Sequence, residues 1–380
     1  MQKVIVIGGG AAGIASAVHL ARAGKKVTIL EGGERLGRKL SATGNGQGNV
    51  TNLHVDATHY FSDDLPKVAR ALACFGYRDT VEFLESMGGI FLPDSRGRVY
   101  PASRQASAVT DLFRFELERL GVEVYTGVHV EEIFANSKLR VTWEGGSMSA
   151  DAIVLAAGGK AAPNYGTDGS AYRLAEKFGH TVTPLTPALV QLKCDPTLVR
   201  GLKGIRIEGG VCVLRKGKLL HEGRGDVLFT ESGISGDAIF RASSYCRDGD
   251  VLEIDLLPDV DEARLARILA HGEGERTLLC VLPNGLSRFL YKKANGDRSL
   301  LIRLIKCFPL PITGNLGFVR AQVTKGGIPL AETDENLQSA FCKGLYFAGE
   351  ILNVDGECGG YNLQWAFTSA YLAAKGVISC

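Results

Sequence analysis

Residues 3–13, KVIVIGGGAAG, limit most strongly what this chain folds into. Val4–Ile7 is an unbroken run of β-forming apolar residues, the pattern of a strand buried on both faces. It runs into Gly8, Gly9 and Gly10. The alanine-rich stretch that follows, to Ala23, reads as a helix, and Gly24 stands where a glycine closes one. Residues 26–30, KVTIL, form a second strand run ending at Glu31. Strand, glycine turn, helix and strand within about thirty residues make a βαβ unit that opens a parallel sheet.

The glycine spacing is GxGxxG, which is weak evidence alone and strong directly between a strand and a helix. Gly8 permits the tight turn, Gly10 lets the backbone approach a pyrophosphate, and Gly13 lets the helix sit close to the sheet. The helix start offers free N–H groups and a partial positive charge to phosphates. Glu31 is placed to accept from ribose hydroxyls, and its charge disfavours a 2′-phosphate, hence NADP, at this site. Two later segments extend the pattern. Leu155–Gly159 ends a strand in small residues, Ala157, Gly158 and Gly159, and resembles the second glycine-rich strand end of two-dinucleotide-type flavoproteins, which passes close to adenosine and pyrophosphate. Near the C-terminus, GLYFAGEIL carries Gly349 and Glu350, and Gly360, Tyr361 and Asn362 then open a helix. The Gly349-Glu350 pair resembles the Gly-Asp or Gly-Glu that ends a strand in flavoproteins, where the acidic side chain reaches the ribityl chain. The helix start suits the pyrimidine edge of a flavin, where negative charge collects on reduction. Together these segments point to FAD rather than NAD.

Composition narrows the class. The chain has 380 residues, too many for one ordinary core, so two or three units are expected. Its 48 glycines exceed the usual share of about 7% and cluster in short sequences, marking sharp turns or approach to a ligand. A net charge of +2 gives no encouragement to nucleic-acid binding, and no apolar run reaches the about 18 residues of a membrane-crossing helix. The nine cysteines, Cys74, Cys194, Cys212, Cys246, Cys280, Cys307, Cys342, Cys358 and Cys380, are scattered. They form no CxxC and no Cys/His ligand spacing, so reduced thiols in a cytoplasmic protein are expected, with no metal site and no disulfide framework.

Along the chain, 66–87 and 104–120 read as helices, and 122–134, 138–144 and 151–159 as strands. Residues 165–180 read as a loop capped by Asp168 and a helix ending at Gly179. Beyond Pro184 and Pro187 short strands dominate to about Leu257, as in GIRIEGGVCVLRKGKLL. Residues 260–307 read as helical again, and the C-terminal stretch returns to α/β texture, with LYFAGEIL as a strand. The expected division is 1–185 for the first part of the dinucleotide-binding domain and 186–258 for a β-rich insertion. A helical insertion follows at 259–308, then the β-rich return at 309–325 and the rest of the first domain at 326–380. A second GxGxxG unit is missing, since GNGQGN and GISGDA are not expected to follow a strand and open a helix in the way that the motif requires.

Three stretches carry a family resemblance: VIVIGGGAAGIASA with GRKLSATGNGQGNVTN, LFTESGISGDAIFRAS (228–243), and VTKGGIPL (323–330) with AGEILNVDGECGGYNLQWAF. The sequence resembles the bacterial FAD-dependent flavoproteins that include aminoacetone oxidases and the reductase of bile-acid-inducible operons. The resemblance implies an α/β fold: a two-dinucleotide-type Rossmann-like FAD domain with an inserted, barrel-like β-rich domain and a small helical insertion. It also implies further cofactor-binding residues: Ala11, Ala12, Gly37, Arg38, Lys39, Asn45, Gly46, Asn49, Val130 and Leu363. Members commonly carry Arg-Cys where this chain has Gln47-Gly48, and a small or hydroxyl residue at Cys358. The first departure removes a cation near the cofactor. The second places there either a reactive thiol or a packed, inert one.

The implied activity is FAD-dependent oxidoreduction of a small or hydrophobic organic molecule through the flavin N5 position. Several readings stay open. NADH or NADPH acts as a transient donor for reduction of an activated C=C bond, or an amine is oxidised with oxygen. A flavin-binding protein without turnover is also possible on sequence grounds. No nucleic-acid or membrane partner is expected, and the oligomeric state is undetermined. None of the seven histidines has a partner at catalytic spacing, His19 reads as structural, and no catalytic acid or base is named.

Overall fold

A computed structural model describes residues 1–272 and 274–379. Glu273, within the stretch expected to be helical, and Cys380, one of the nine thiols, lie outside the described residues. The chain forms two compact units, Met1–Pro187 with Val323–Cys380, and Ala188–Gln322.

The first unit opens as the glycine pattern requires, with β1 (Lys3–Ile7), α1 (Ala11–Arg22) and β2 (Lys26–Glu31). There follow β3 (Thr51–Asn52), β4 (Tyr60–Ser62), α2 (Leu65–Cys74), α3 (Tyr77–Glu85), β5 (Phe91–Pro93), β6 (Arg98–Pro101) and α4 (Ala106–Arg119). Next come β7 (Glu123–Thr126), β8 (Val130–Ala135), β9 (Leu139–Trp143), β10 (Gly146–Ala150), β11 (Ala152–Leu155), α5 (Tyr172–Glu176) and β12 (Thr186–Ala188). Four expectations shift here. The 66–87 helix is broken: Phe75 leaves helical geometry, and Gly76 caps α3, its N–H bonded to Asp79. The 122–134 strand turns at Gly127 (φ +71°) into two strands in different sheets. The 151–159 strand stops at Leu155, leaving its glycines in a loop. Asp168 accepts from Ser170 N at 2.8 Å, but α5 begins only at Tyr172, so this carboxylate closes a turn instead of capping the helix.

The second unit holds β13 (Leu192–Cys194), β14 (Arg206–Arg215), β15 (Lys218–Phe229), β16 (Gly233–Ser235), α6 (Asp237–Ser243), β17 (Val251–Asp255), α7 (Glu262–Ala270), α8 (Asn284–Ala294), α9 (Arg298–Lys306) and β18 (Phe308–Asn315). Its strands close an antiparallel barrel in the order β13-β16-β15-β14-β17-β18. Closure leaves no free sheet edge. Alternate residues such as Val211, Val213, Val227, Phe229 and Leu252 are buried in one apolar cluster with Leu265, Leu286 and Leu301 of the helices. Asp261 and Asp297 cap α7 and α9 through the N–H groups of Arg264 and Leu300.

The chain returns to the first unit as β19 (Val323–Lys325), β20 (Leu345–Phe347), β21 (Val354–Gly356) and α10 (Tyr361–Ser379). LYFAGEIL is strand only to Phe347; Gly349 (φ +81°) turns the chain into a short 3-10 turn over Gly349–Ile351. The finished parallel sheet has the order β20-β11-β1-β2-β7. Its centre is buried: Val6, Ile29 and Val154 have no exposure, and α1 packs against α10 through Val18, Leu20 and their neighbours. Each fully buried aliphatic side chain contributes about 1.5–3 kcal/mol, so this face fixes where the loops at the strand ends lie. This is the Rossmann-type α/β unit with a β-barrel and helices inserted in the chain.

Candidate functional site

The site is built where β1, β2, β11 and β20 end. Gly8 has φ +102°, and a Cβ there would lie 2.6 Å from Ala156 O, so the first glycine brings the β1 and β11 ends together. A Cβ on Gly13 would sit 1.8 Å from Gly8 O, which is why helix and turn pack so closely. Gly10 differs: nothing lies within 4 Å of where its Cβ would be. The protein itself therefore does not need a glycine at Gly10; open space stands over this backbone. Gly10 is also the N-cap of α1, with no side-chain cap and no acidic residue in the first turn. The start of the helix at Ala11 and Ala12 is thus small, uncapped and electropositive, which fits a pyrophosphate.

Glu31 braces this turn. Its Oε2 accepts from Gly9 N at 2.5 Å and its Oε1 from Gly33 N at 2.7 Å. Each carboxylate oxygen keeps a further lone pair, so the expected ribose contact is compatible with the bracing role. Val130 lies on β8 just beyond Val128, whose N–H donates to Glu31 O at 2.9 Å. Gly37 N donates to Gly9 O at 2.8 Å, and Arg38 donates to Asn164 O at 2.7 Å, tying the next loop down.

Lys39 and Glu350 meet in a half-buried ion pair of 2.7 Å. The other Glu350 oxygen accepts from Thr324 N at 2.9 Å, and Thr324 Oγ1 accepts from the N–H groups of Lys160 and Ala161. A Cβ on Gly159 would be 2.5 Å from Thr324 Oγ1, so this glycine is required by packing. Gly349 lies against α1, its would-be Cβ 2.8 Å from Ala12 Cβ, and its N–H is held by Ser369 at 2.8 Å. Residues from four distant stretches thus converge on one cluster. Ala157 and Gly158 continue the β11 end beside them, Gly158 at φ +77°.

Some predicted residues have other duties. Asn49 is buried, with Nδ2 donating to Thr51 O and Val99 O, so it holds the loop. Gly360 (φ +103°) packs against Thr51 O, where a Cβ would be 2.4 Å away. Asn362 turns back to bond Gly356 through both backbone groups. Tyr361 stacks on His59 at 4.4 Å, and Leu363 packs on the core beneath α10. Asn45 and Gly46 stand exposed at a loop tip with positive φ. Gln47 is exposed, and a Cβ on Gly48 would meet Ala106 Cα at 3.0 Å. Cys358 is half-buried.

Sequence reasoning missed Thr324, Asp355 and the His59–Glu357 pair. Thr324 stood in the quoted stretch VTKGGIPL, and Asp355 and Glu357 in AGEILNVDGECGGYNLQWAF. His59 reaches them only through the pairing of β4 with β21. GISGDA contains the short strand β16 itself and leads into α6, so it does not follow a strand as a dinucleotide-binding turn does. Its glycines are also filled by protein. Cβ atoms on Gly233 and Gly236 would each fall 2.1 Å from backbone oxygens, so no room is left there for a dinucleotide. Among the described residues no group of three or more His, Cys, Asp or Glu is arranged to hold a metal, and no helix is long and apolar enough to cross a membrane.

Comparison with known proteins identifies the family. The family model for the HI0933-like protein Rossmann domain matches residues 2–376. The chain is similar to a 3-dehydro-bile acid delta(4,6)-reductase of Clostridium scindens, 36% identical over 99% of this chain and 98% of the relative. It is also 30% identical to ribosomal RNA dihydrouridine synthases of Haemophilus influenzae and Escherichia coli, over at least 98% of each chain. In fold it is similar to a 3-ketosteroid-delta4-(5alpha)-dehydrogenase of Rhodococcus jostii (TM-score 0.55, 17% identity, 99% of this chain and 97% of that one). The chain belongs to the HI0933-like Rossmann-domain family and is an FAD-dependent oxidoreductase.

Proposed function

We propose that this protein reduces a C=C bond conjugated to a carbonyl group in a small hydrophobic, steroid-like substrate, with NADH or NADPH as the transient donor. One observation carries the reading. The two kinds of relative similar over nearly the whole chain are named for the same bond change. A dihydrouridine is a uridine whose carbonyl-conjugated C=C bond has been reduced, and a bile acid delta(4,6)-reductase acts on a conjugated system too. The higher identity to the bile-acid enzyme favours the steroid-like substrate. The glycines that GISGDA fills with protein argue against a second resident dinucleotide there, in keeping with a donor that binds only briefly.

FAD, when bound, supplies hydride chemistry at its N5 atom. The chain's own residues hold it. The uncapped start of α1 would hold the pyrophosphate, Glu31 the ribose, and Glu350, fixed by Lys39 and Thr324, the ribityl hydroxyls. The start of α10 would favour negative charge on the ring.

The test is anaerobic mixing of the FAD-loaded protein with NADH or NADPH, followed at the flavin band of about 450 nm. Bleaching is expected, and a conjugated 3-oxo-steroid diene should then restore the colour. A second reading, reduction of uridine in ribosomal RNA, rests on the 30% identity to the two synthases. It is favoured if an rRNA fragment restores the colour and the steroid does not. Restoration only by oxygen, with peroxide released, would indicate an oxidase and overturn both.

A further inference from the structure

Helices α8 and α9 form a hairpin within the inserted unit, and α9 packs on β17 and β18 of the barrel. Leu286, Leu290 and Ala294 of α8 and Leu301, Leu304 and Ile305 of α9 are buried in the apolar cluster of that unit. Spacings of three and four residues set them on one stripe of each helix. The connection is tight: Asn295 (φ +47°) and Gly296 (φ +85°) take left-handed geometry, and the Asp297 carboxylate then caps α9 through Leu300 N. A side chain two residues from a buried one points the other way, about 200° round the helix. Arg288 lies midway between Leu286 and Leu290, Lys292 between Leu290 and Ala294, and Arg303 between Leu301 and Ile305. All three therefore face away from the core, and all three are exposed.

Residues 284–306 hold six cations and one acid, Asp297, a net charge of +5. The whole chain is +2, so the remainder carries −3. The even overall balance thus hides one strongly basic element. Three of its cations serve the fold. Lys306 pairs with Asp255 at 2.6 Å, Lys293 lies over the Phe289 and Phe308 rings, and Arg298 donates to Gly272 O at 3.2 Å. The outward three, Arg288, Lys292 and Arg303, have no acidic partner among the described residues. Arg288 and Lys292 stand one turn apart on the same face, where like charges repel. The fold gains nothing from that repulsion; an anionic partner relieves it.

The chemistry of the face selects the partner. A helix lying on a bilayer buries apolar side chains in it. A protein interface is centred on apolar or aromatic anchors. Among the described residues, no large apolar side chain of α8 or α9 stands exposed. Nucleic-acid interfaces are by contrast polar, positively charged and built on phosphate contacts. We propose that the α8–α9 hairpin binds the phosphate backbone of RNA, with Arg288, Lys292 and Arg303 as its contacts. The surface is inferred from charge and exposure, and the choice of RNA rests on the ribosomal-RNA reading above.

The test titrates FAD-loaded protein into a fluorescein-labelled stem-loop of ribosomal RNA, followed by anisotropy over a salt series. Each phosphate contact adds about −0.9 to the slope of log affinity on log salt, so a slope of about −3 or steeper is expected. R288Q/K292Q/R303Q should keep the flavin spectrum and melting temperature. It should lose at least about tenfold in affinity at low salt and flatten the slope by about 3. R173Q/K343Q/K375Q, which removes three exposed cations of the first unit, should bind like the parent. No binding by the parent overturns the proposal. Equal weakening in both triple variants overturns it too, since net charge alone would then explain the binding. Binding to vesicles of phosphatidylserine and phosphatidylcholine without binding to RNA assigns the face to a membrane and overturns it as well. RNA that is bound through the hairpin but never restores the colour of the reduced flavin supports the surface and overturns only the reading of ribosomal RNA as the reduced substrate.

Discussion

At the scale of single residues, the three glycines of the first turn differ in what they serve. Gly13 is required by the fold, whereas nothing in the protein itself needs a glycine at Gly10. G13A should destabilise the apoprotein by about 1–3 kcal/mol, because its Cβ must displace Gly8 O. G10A should leave apoprotein melting nearly unchanged but weaken FAD binding at least about tenfold, read by flavin fluorescence titration. Asp355 gives a pH signature. Its folded pKa of about 7 lies above the ordinary 3.8, so the folded state holds a proton that the unfolded state loses. The stability this confers is complete below about pH 3.8 and is lost as pH rises through about 7. D355N apoprotein should therefore match the parent at pH 3.5 and be more stable at pH 8, by up to about 4 kcal/mol in urea unfolding. The glycine pattern was legible in the sequence because its chemistry is local. Asp355 was not, because its burial depends on β4, with Phe61, arriving from elsewhere in the chain.

At the scale of elements, short latches secure the loops that carry the site. His180 illustrates one. Its Nε2 lies 2.6 Å from Ser339 Oγ and its Nδ1 2.9 Å from Glu332 Oε2, an order that resembles a nucleophile triad. The serine is buried, and its oxygen already accepts from Phe341 N and Cys342 N, so the group is a latch for the turn before β20 and not a nucleophile. S339A should lower stability by about 1–3 kcal/mol in denaturant unfolding, while the flavin spectrum stays unchanged. The sequence expectation failed mostly at element ends: one helix proved to be two at Gly76, and two strands ended early at Leu155 and Phe347. Capping by Asp79 and the positive φ of Gly349 decided those ends, and both depend on local geometry that apolar periodicity does not encode.

For the whole molecule, the insertion of residues 188–322 into the dinucleotide-binding unit means that the cofactor cluster is completed only after the barrel has been traversed. Lys39 meets Glu350 across 311 positions of sequence. A ligand that binds the folded form stabilises it by about 2.7 kcal/mol at a hundred times its dissociation constant. FAD should accordingly slow amide exchange at 8–13, 31–49 and 349–363. The β14–β15 hairpin of the barrel should exchange as before; slowing confined to that hairpin would refute the placement of the cofactor.

The sequence by itself determined the opening βαβ unit, the family and the FAD cofactor, because glycine spacing, a strand-end carboxylate and a helix start act within about thirty residues. It also conveyed that β-rich and helical stretches interrupt that unit, through alternation and turn residues. Barrel closure, the Lys39–Glu350–Thr324 cluster, and a buried acid opposite a His–Glu pair were decided only by the tertiary structure. Each depends on which strands become neighbours, and the partners of a side chain far along the chain are set by packing rather than by the residues beside it.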